Sequence, residues 1–180
     1  MEKGKVEQKK QAFEYLVTKL IEWNDDLASQ QSSNSFTKIK VLKLLFFVSA
    51  VKDNNGNDLL DIFDNFYAMP YGPVESDIYN FMSNNELRFY SFTNTYMSQV
   101  ESYINTETGL DKNISLKIDK AINSLKNSNK NIIRLSAFEL VDISHKWNVW
   151  RNSMRVAELL GKSSQLMPID GIRSNPQIFS

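Results

Sequence analysis

"FYAMPYGPVESDIYNFM", residues 66–82, is the stretch on which the reading of this chain turns. Aromatic residues and Met69 lead into Pro70, Tyr71, Gly72 and Pro73, so two of the four prolines and one of the six glycines fall within four residues. Proline at a first helical position loses only an N–H that has no intrahelical partner, and its φ is already set for the helix. We therefore read an extended lead ending near Tyr71 and a helix that begins at Pro73. Val74, Ile78, Phe81 and Met82 form its apolar stripe. Glu75 and Asp77 lie in its first turns, where the helix dipole favours negative charge. "SNNE" ends it near residue 84.

Working outward, "KIKVLKLLFFVSAV" (38–51) is apolar almost all round, the signature of a buried central helix. Ser35 or Thr37 is positioned to cap it. Further upstream, Phe13, Leu16, Leu20, Trp23 and Leu27 recur at steps of three and four, which predicts an amphipathic helix over 6–29. "SQQSSNS" (29–35) and "KDNNGND" (52–58) read as a loop and a turn, and Leu59–Phe63 as one helical turn. Downstream, "LRFYSFTNTYMSQV" (87–100) suggests a short β-hairpin. Ile114, Ile118, Ile122 and Leu125 mark another helix, and "SAFE" (136–139) is a capping box opening a helix through Phe138 and Val141. A further short helix runs to Gly161, which terminates it. "MPIDGIRSNPQIF" reads as irregular, with one turn at most. The fold expected is mainly α, a single compact multi-helix domain over 1–180 with a short hairpin near residues 87–100.

Composition narrows the function. The chain has 180 residues, 42% of them hydrophobic and 12% aromatic, enough for a real core. It has no cysteine and one histidine, which excludes disulfides and clustered His/Cys metal sites. No apolar run approaches the ~20 residues of a membrane span. No apolar signal core follows "MEKGKVEQKK", so no secretion signal is read and a cytoplasmic protein is expected. The formal charge of zero conceals segregation: residues 1–52 sum to +3, 53–111 to −9 and 112–180 to +6. Such blocks either attract partners of opposite sign or neutralise one another on folding.

Most catalytic patterns are missing. There is no phosphate-binding glycine motif. A phosphate at the Gly72–Pro73 helix start is opposed by Glu75. "DNNGND" lacks the spacing and terminal glutamate of a calcium loop. Asp142, Ser144 and His145 are too close along one helix to form a hydrolytic triad by themselves. Six basic groups within 112–134 offer a phosphate-contacting face, although a solvated helix surface explains them too. Lys43, amid "VLKLLFFV", either snorkels to solvent or is held by backbone carbonyls or a carboxylate.

Three segments, in order, resemble the SocA-like antitoxins, the Panacea-domain family. "TKIKVLKLLFFV" (37–48) is similar to that family's Lys-Leu-Leu-Tyr/Phe helix. "FYAMPYGPVESDIYNFM" is similar to its Tyr-Gly-Pro-Val segment, with Tyr79 a few residues on. "ELVDISHKWNVW" is similar to its Ser/Thr-His motif, with Trp150 five residues beyond His145. The match spans about residues 37–150. It departs at Met69, where tryptophan is common in the family, and at Val149, where proline is. The resemblance implies an antitoxin of a bacterial or phage toxin–antitoxin pair. Such a protein neutralises a cognate toxin, encoded by a neighbouring gene, through direct protein contact.

On this reading the chain is not an enzyme and needs no cofactor, metal or membrane. Phe46, Phe47, Gly72, Pro73, Val74 and Trp150 are expected to define the fold. Lys43, Tyr71, Glu75, Tyr79 and His145 are candidates for a shared polar cluster or a contact surface. Aromatic anchors suit such a surface, and the acidic middle third suits a basic partner. A nucleic-acid-binding regulator using the basic 112–134 stretch is the alternative, and an enzyme centred on His145 a third.

Overall fold

The computed structural model describes residues 3–27, 36–93, 95–101 and 109–180. The first helix, α1 (Lys3–Leu27), buries Phe13, Leu16, Leu20 and Trp23 as the periodicity demands. The "SQQSSNS" loop lies outside the described residues. Thr37 caps α2 (Lys38–Ala50) by accepting the Lys40 N–H at 3.2 Å. Every residue of α2 from Lys40 to Ala50 is buried, so this helix is the axis of the domain. The turn after it closes on Asp53, whose carboxylate accepts the Asn55 and Asn57 N–H groups.

The 66–82 stretch folds differently from its sequence reading. β1 (Phe66–Met69) and β2 (Gly72–Glu75) form an antiparallel hairpin turning at Pro70–Tyr71, in register from Phe66↔Glu75 to Met69↔Gly72. Pro73 is therefore a strand residue, and α3 (Ser76–Ser83) starts three positions later. Its N-cap is Glu75, whose Oε2 accepts the Ile78 N–H at 2.8 Å. The proline survives here because β2 is the edge strand of a sheet ordered β2-β1-β5. The Pro73 carbonyl points away from β1 and accepts from Lys43, so the absent N–H, on the same side, costs no ladder bond. Gly72 carries φ +90°, a conformation side chains rarely adopt, at the exit of the turn.

The hairpin expected near 87–100 is present as β3 (Tyr90–Phe92) paired with β4 (Met97–Gln99). α4 (Lys112–Ser128), capped by Asp111, lays Ile118, Ile122 and Leu125 into the core beside α1. A 3-10 turn at Ile132–Arg134 precedes α5 (Ala137–His145), where Ser136 and Glu139 close the capping box. Phe138, on the first turn of α5, is 66% exposed rather than buried. α6 (Asn148–Leu159) ends before Gly161 at φ +64°, as the sequence predicts.

The C-terminus is more ordered than expected. β5 (Gln165–Leu166) adds a third strand against β1, and α7 (Ile169–Ser174) follows. Phe179 then returns to pack edge-on against Phe47. Trp147, which the sequence did not single out, is fully buried between Phe46 and Phe179 and donates its Nε1–H to the Ile178 carbonyl. The described residues thus form a mainly helical domain with two small sheets, one of which braces α2.

Candidate functional site

The three motif segments meet around the β1–β2 hairpin, which α2 flanks on one side and α5 and α6 close behind. Lys43 is 1% exposed and donates to the Pro73 carbonyl at 2.6 Å. The snorkelling alternative is thereby excluded: a backbone carbonyl holds this lysine and ties α2 to β2. Gly72 makes room for the junction, since a Cβ there would lie 2.3 Å from Ser144 Oγ and 3.1 Å from Lys43 Cε. Ser144 Oγ donates to the Val141 carbonyl of its own helix. Behind the hairpin, the His145 ring stacks on Trp150 with centroids 3.8 Å apart. The Trp150 Nε1–H is donated to the Met69 carbonyl at 3.0 Å. His145 Nε2 is buried with no hydrogen-bond partner among the described residues. Burial, then the nearby Lys43, hold its pKa below the ordinary value.

Burial also lowers Lys43, to about 7, and Lys40, to about 8, the latter opposed by Glu139. Both are bases whose folded pKa lies below the unfolded value of 10.5. Between those values the unfolded chain binds more protons, so stability rises with pH from about 7 towards 10. We expect thermal melts to show that rise, on the order of a few kcal/mol for a group as enclosed as Lys43. Lys43→Met should reduce it above pH 7 and leave the Lys40 share, and an unchanged slope would contradict the assignment.

Of the remaining candidates, Tyr71 and Tyr79 join Lys43 around one pocket, and Glu75 does not. The pocket, about 410 Å³, opens between α2, the hairpin turn and α3. Ile39, Leu42, Met69, Pro70 and Val74 give it apolar walls. Lys38, Lys43, Tyr71 and Tyr79 supply its polar groups. Tyr71 is 61% exposed and Tyr79 40%.

Glu75 faces the other way, fully buried, in a network that the sequence did not disclose. Lys9, 1% exposed on α1, donates to Asp64 at 2.7 Å, Glu75 at 2.9 Å and Asp77 at 2.7 Å. Glu75 Oε1 also accepts the Asn65 N–H, and Asn65 Nδ2 donates to Asp77. Oxygens of these three carboxylates gather within 4.8 Å of one another, a grouping that suits a cation. The Lys9 ammonium takes that place with all three of its N–H groups. Burial alone would lower the Lys9 pKa, but the Glu75 charge and the three hydrogen bonds hold it well above its ordinary value. Burial pushes Glu75 up, against the pull of Lys9 and the Ile78 N–H. A signal was present: Lys9 continues the buried row Phe13, Leu16, Leu20, Trp23 one step back at the same spacing.

The charge segregation is largely consumed internally. Lys5 pairs with Asp64, Lys10 with Glu86, Arg88 with Glu101, and Arg173 with Asp58 and Asp61. Lys120 lies by Asp53, and Lys117 shares a cleft with Asp58, Asp61 and Arg173. The acidic middle third is thus mostly a set of internal partners, and part of the basic α4 surface faces it.

The model of the family described as "Antitoxin SocA-like, Panacea domain" matches residues 41–151. The chain belongs to this family. Comparison with curated proteins and with solved structures gave no match. The SocA-like match takes in Lys43, the hairpin, α3 and the His145–Trp150 stack, while Lys9 lies outside it. No helix among the described residues is long and apolar enough to cross a membrane.

Proposed function

We propose that the chain acts as an antitoxin by holding a partner toxin in direct protein–protein contact, with no catalysis of its own. The observation that carries this reading is the SocA-like match across the whole hairpin-centred region. The chemistry of that region agrees with it. Ser144 donates to its own helix, and His145 is spent on a ring stack. Of the motif candidates, the two left facing outward, Tyr71 and Tyr79, are aromatic, a residue type that anchors protein interfaces.

The toxin is the product of a neighbouring gene in a bacterial or phage-associated toxin–antitoxin pair, and the protein works in the cytoplasm. Nucleic-acid binding through 112–134 is the weaker reading, because Lys117 and Lys120 have acidic neighbours within the fold. Co-expression tests the proposal. The neighbouring product alone is expected to arrest growth, the pair to grow, and the two proteins to co-purify. A neighbour that is harmless alone and does not co-purify would overturn it.

A further inference from the structure

Around the hairpin, the pocket combines three properties. Its volume, about 410 Å³, lies in the range of sites that enclose a ligand group, and its walls are mostly apolar with a few polar groups, as such sites require. Its mouth carries Tyr71 and Tyr79, large rings left uncovered in a chain whose other motif aromatics are packed. Its charge is one-sided. Lys38 and Lys43 line it, and no described acidic residue does.

That bias is not a by-product of composition. The chain has as many acids as bases, and the acids nearest in sequence to the hairpin are committed to Lys5 and Lys9 on the opposite side. Neither pocket lysine forms an ion pair among the described residues. Lys38 donates to Ser83 Oγ and sits 4.8 Å from the centre of the Tyr79 ring, and Lys43 donates to Pro73. Lys38, on a half-buried stem and without a counter-charge, leaves a positive potential at the mouth of a low-dielectric recess.

Resting on the toxin-binding reading, we infer that this pocket is the docking point on the antitoxin, and that it receives a large apolar side chain of the toxin flanked by a carboxylate. The apolar group fills the space between Leu42, Met69 and Val74, Tyr71 and Tyr79 close over it, and the carboxylate pairs with Lys38 at the mouth. The Lys43–Pro73 bond keeps α2 and β2 in register, so the recess is preformed and binding orders little of the antitoxin.

Two arms test this on the full chain. In the first, N-acetyl-L-leucine and its uncharged amide are titrated while the resonances of Val74, Tyr71 and Tyr79 are followed. The carboxylate should shift them, the amide should bind several-fold more weakly, and Lys38→Glu should abolish the difference. Absence of shifts, or equal binding of acid and amide, overturns the inference. In the second, the co-purified toxin is measured against Tyr71→Ala, Lys38→Glu and, as a control, Phe138→Ala, an equally exposed aromatic outside the pocket. The first two should weaken binding at least about tenfold and the control should not. Folded Tyr71→Ala and Lys38→Glu that bind like wild type overturn the site and leave the antitoxin reading standing. A wild-type chain that binds no toxin overturns that reading instead, and the leucine arm still decides the chemistry of the pocket.

Discussion

Lys9→Met is expected to lower the unfolding free energy by about 3–5 kcal/mol, the usual scale for removing one partner of a buried ionic cluster. Methionine keeps the apolar stem and deletes only the ammonium. Glu75, with no exposure, and Asp77, nearly enclosed, then face each other without a counter-charge. The Asn65 and Ile78 N–H groups still reach Glu75, which sets a floor to the damage.

The sign of the pH dependence distinguishes this cause from simple loss of packing. In the variant the Glu75 carboxyl titrates above its unfolded value, so the folded state binds the extra proton. The deficit should therefore shrink as pH falls from about 7 towards 5. Adding Glu75→Gln should restore part of the loss, because an amide can still accept the Ile78 N–H and carries no charge. Urea unfolding at several pH values reads both variants beside the wild type. A single-mutant loss under about 1 kcal/mol, flat with pH, would show that the cluster contributes nothing beyond its geometry.

Gly72→Val is expected to be comparably severe, about 3–5 kcal/mol, from two sources that a second substitution separates. At φ +90° a β-branched residue is strained wherever it sits. The added carbon also meets the fully buried Ser144 hydroxyl at 2.3 Å, with Lys43 just beyond. Removing that hydroxyl with Ser144→Ala should relieve the steric share and leave the backbone share. Gly72→Val measured in the Ser144→Ala background should therefore cost less than in the wild type, yet still destabilise. Equal cost in both backgrounds would assign the whole effect to the backbone.

How far the sequence could be read depended on the range of the forces involved. The helices were legible in Phe13, Leu16, Leu20 and Trp23, and in Ile118, Ile122 and Leu125, because a period of 3.6 is written locally. The Ser136–Glu139 box and Gly161 were legible for the same reason. The start of α3 was not. Val74, Glu75, Asp77 and Ile78 fit a helix from Pro73, and only pairing of Gly72–Glu75 with Phe66–Met69 moves the boundary to Ser76. The proposed site divides in the same manner. Lys43, Tyr71 and Tyr79 stand out within their motifs, but nothing local shows that they share a pocket with Lys38 while Glu75 turns to Lys9.

Local patterns along the chain specify a mainly helical domain, its capped helices, and the ordered motifs that mark it as SocA-like. Each of these rests on residues within a few positions of one another. Long-range packing places Pro73 in an edge strand, brings Phe179 and Trp147 in to complete the core, and cancels the charged blocks in Lys5, Lys9, Lys10 and Arg173 pairs. It also decides which lysines are left without counter-charge. The physical reason is that an ion pair or a strand partner is chosen by proximity in space. Lys9 and Asp77, 68 residues apart, carry no sign of each other along the chain.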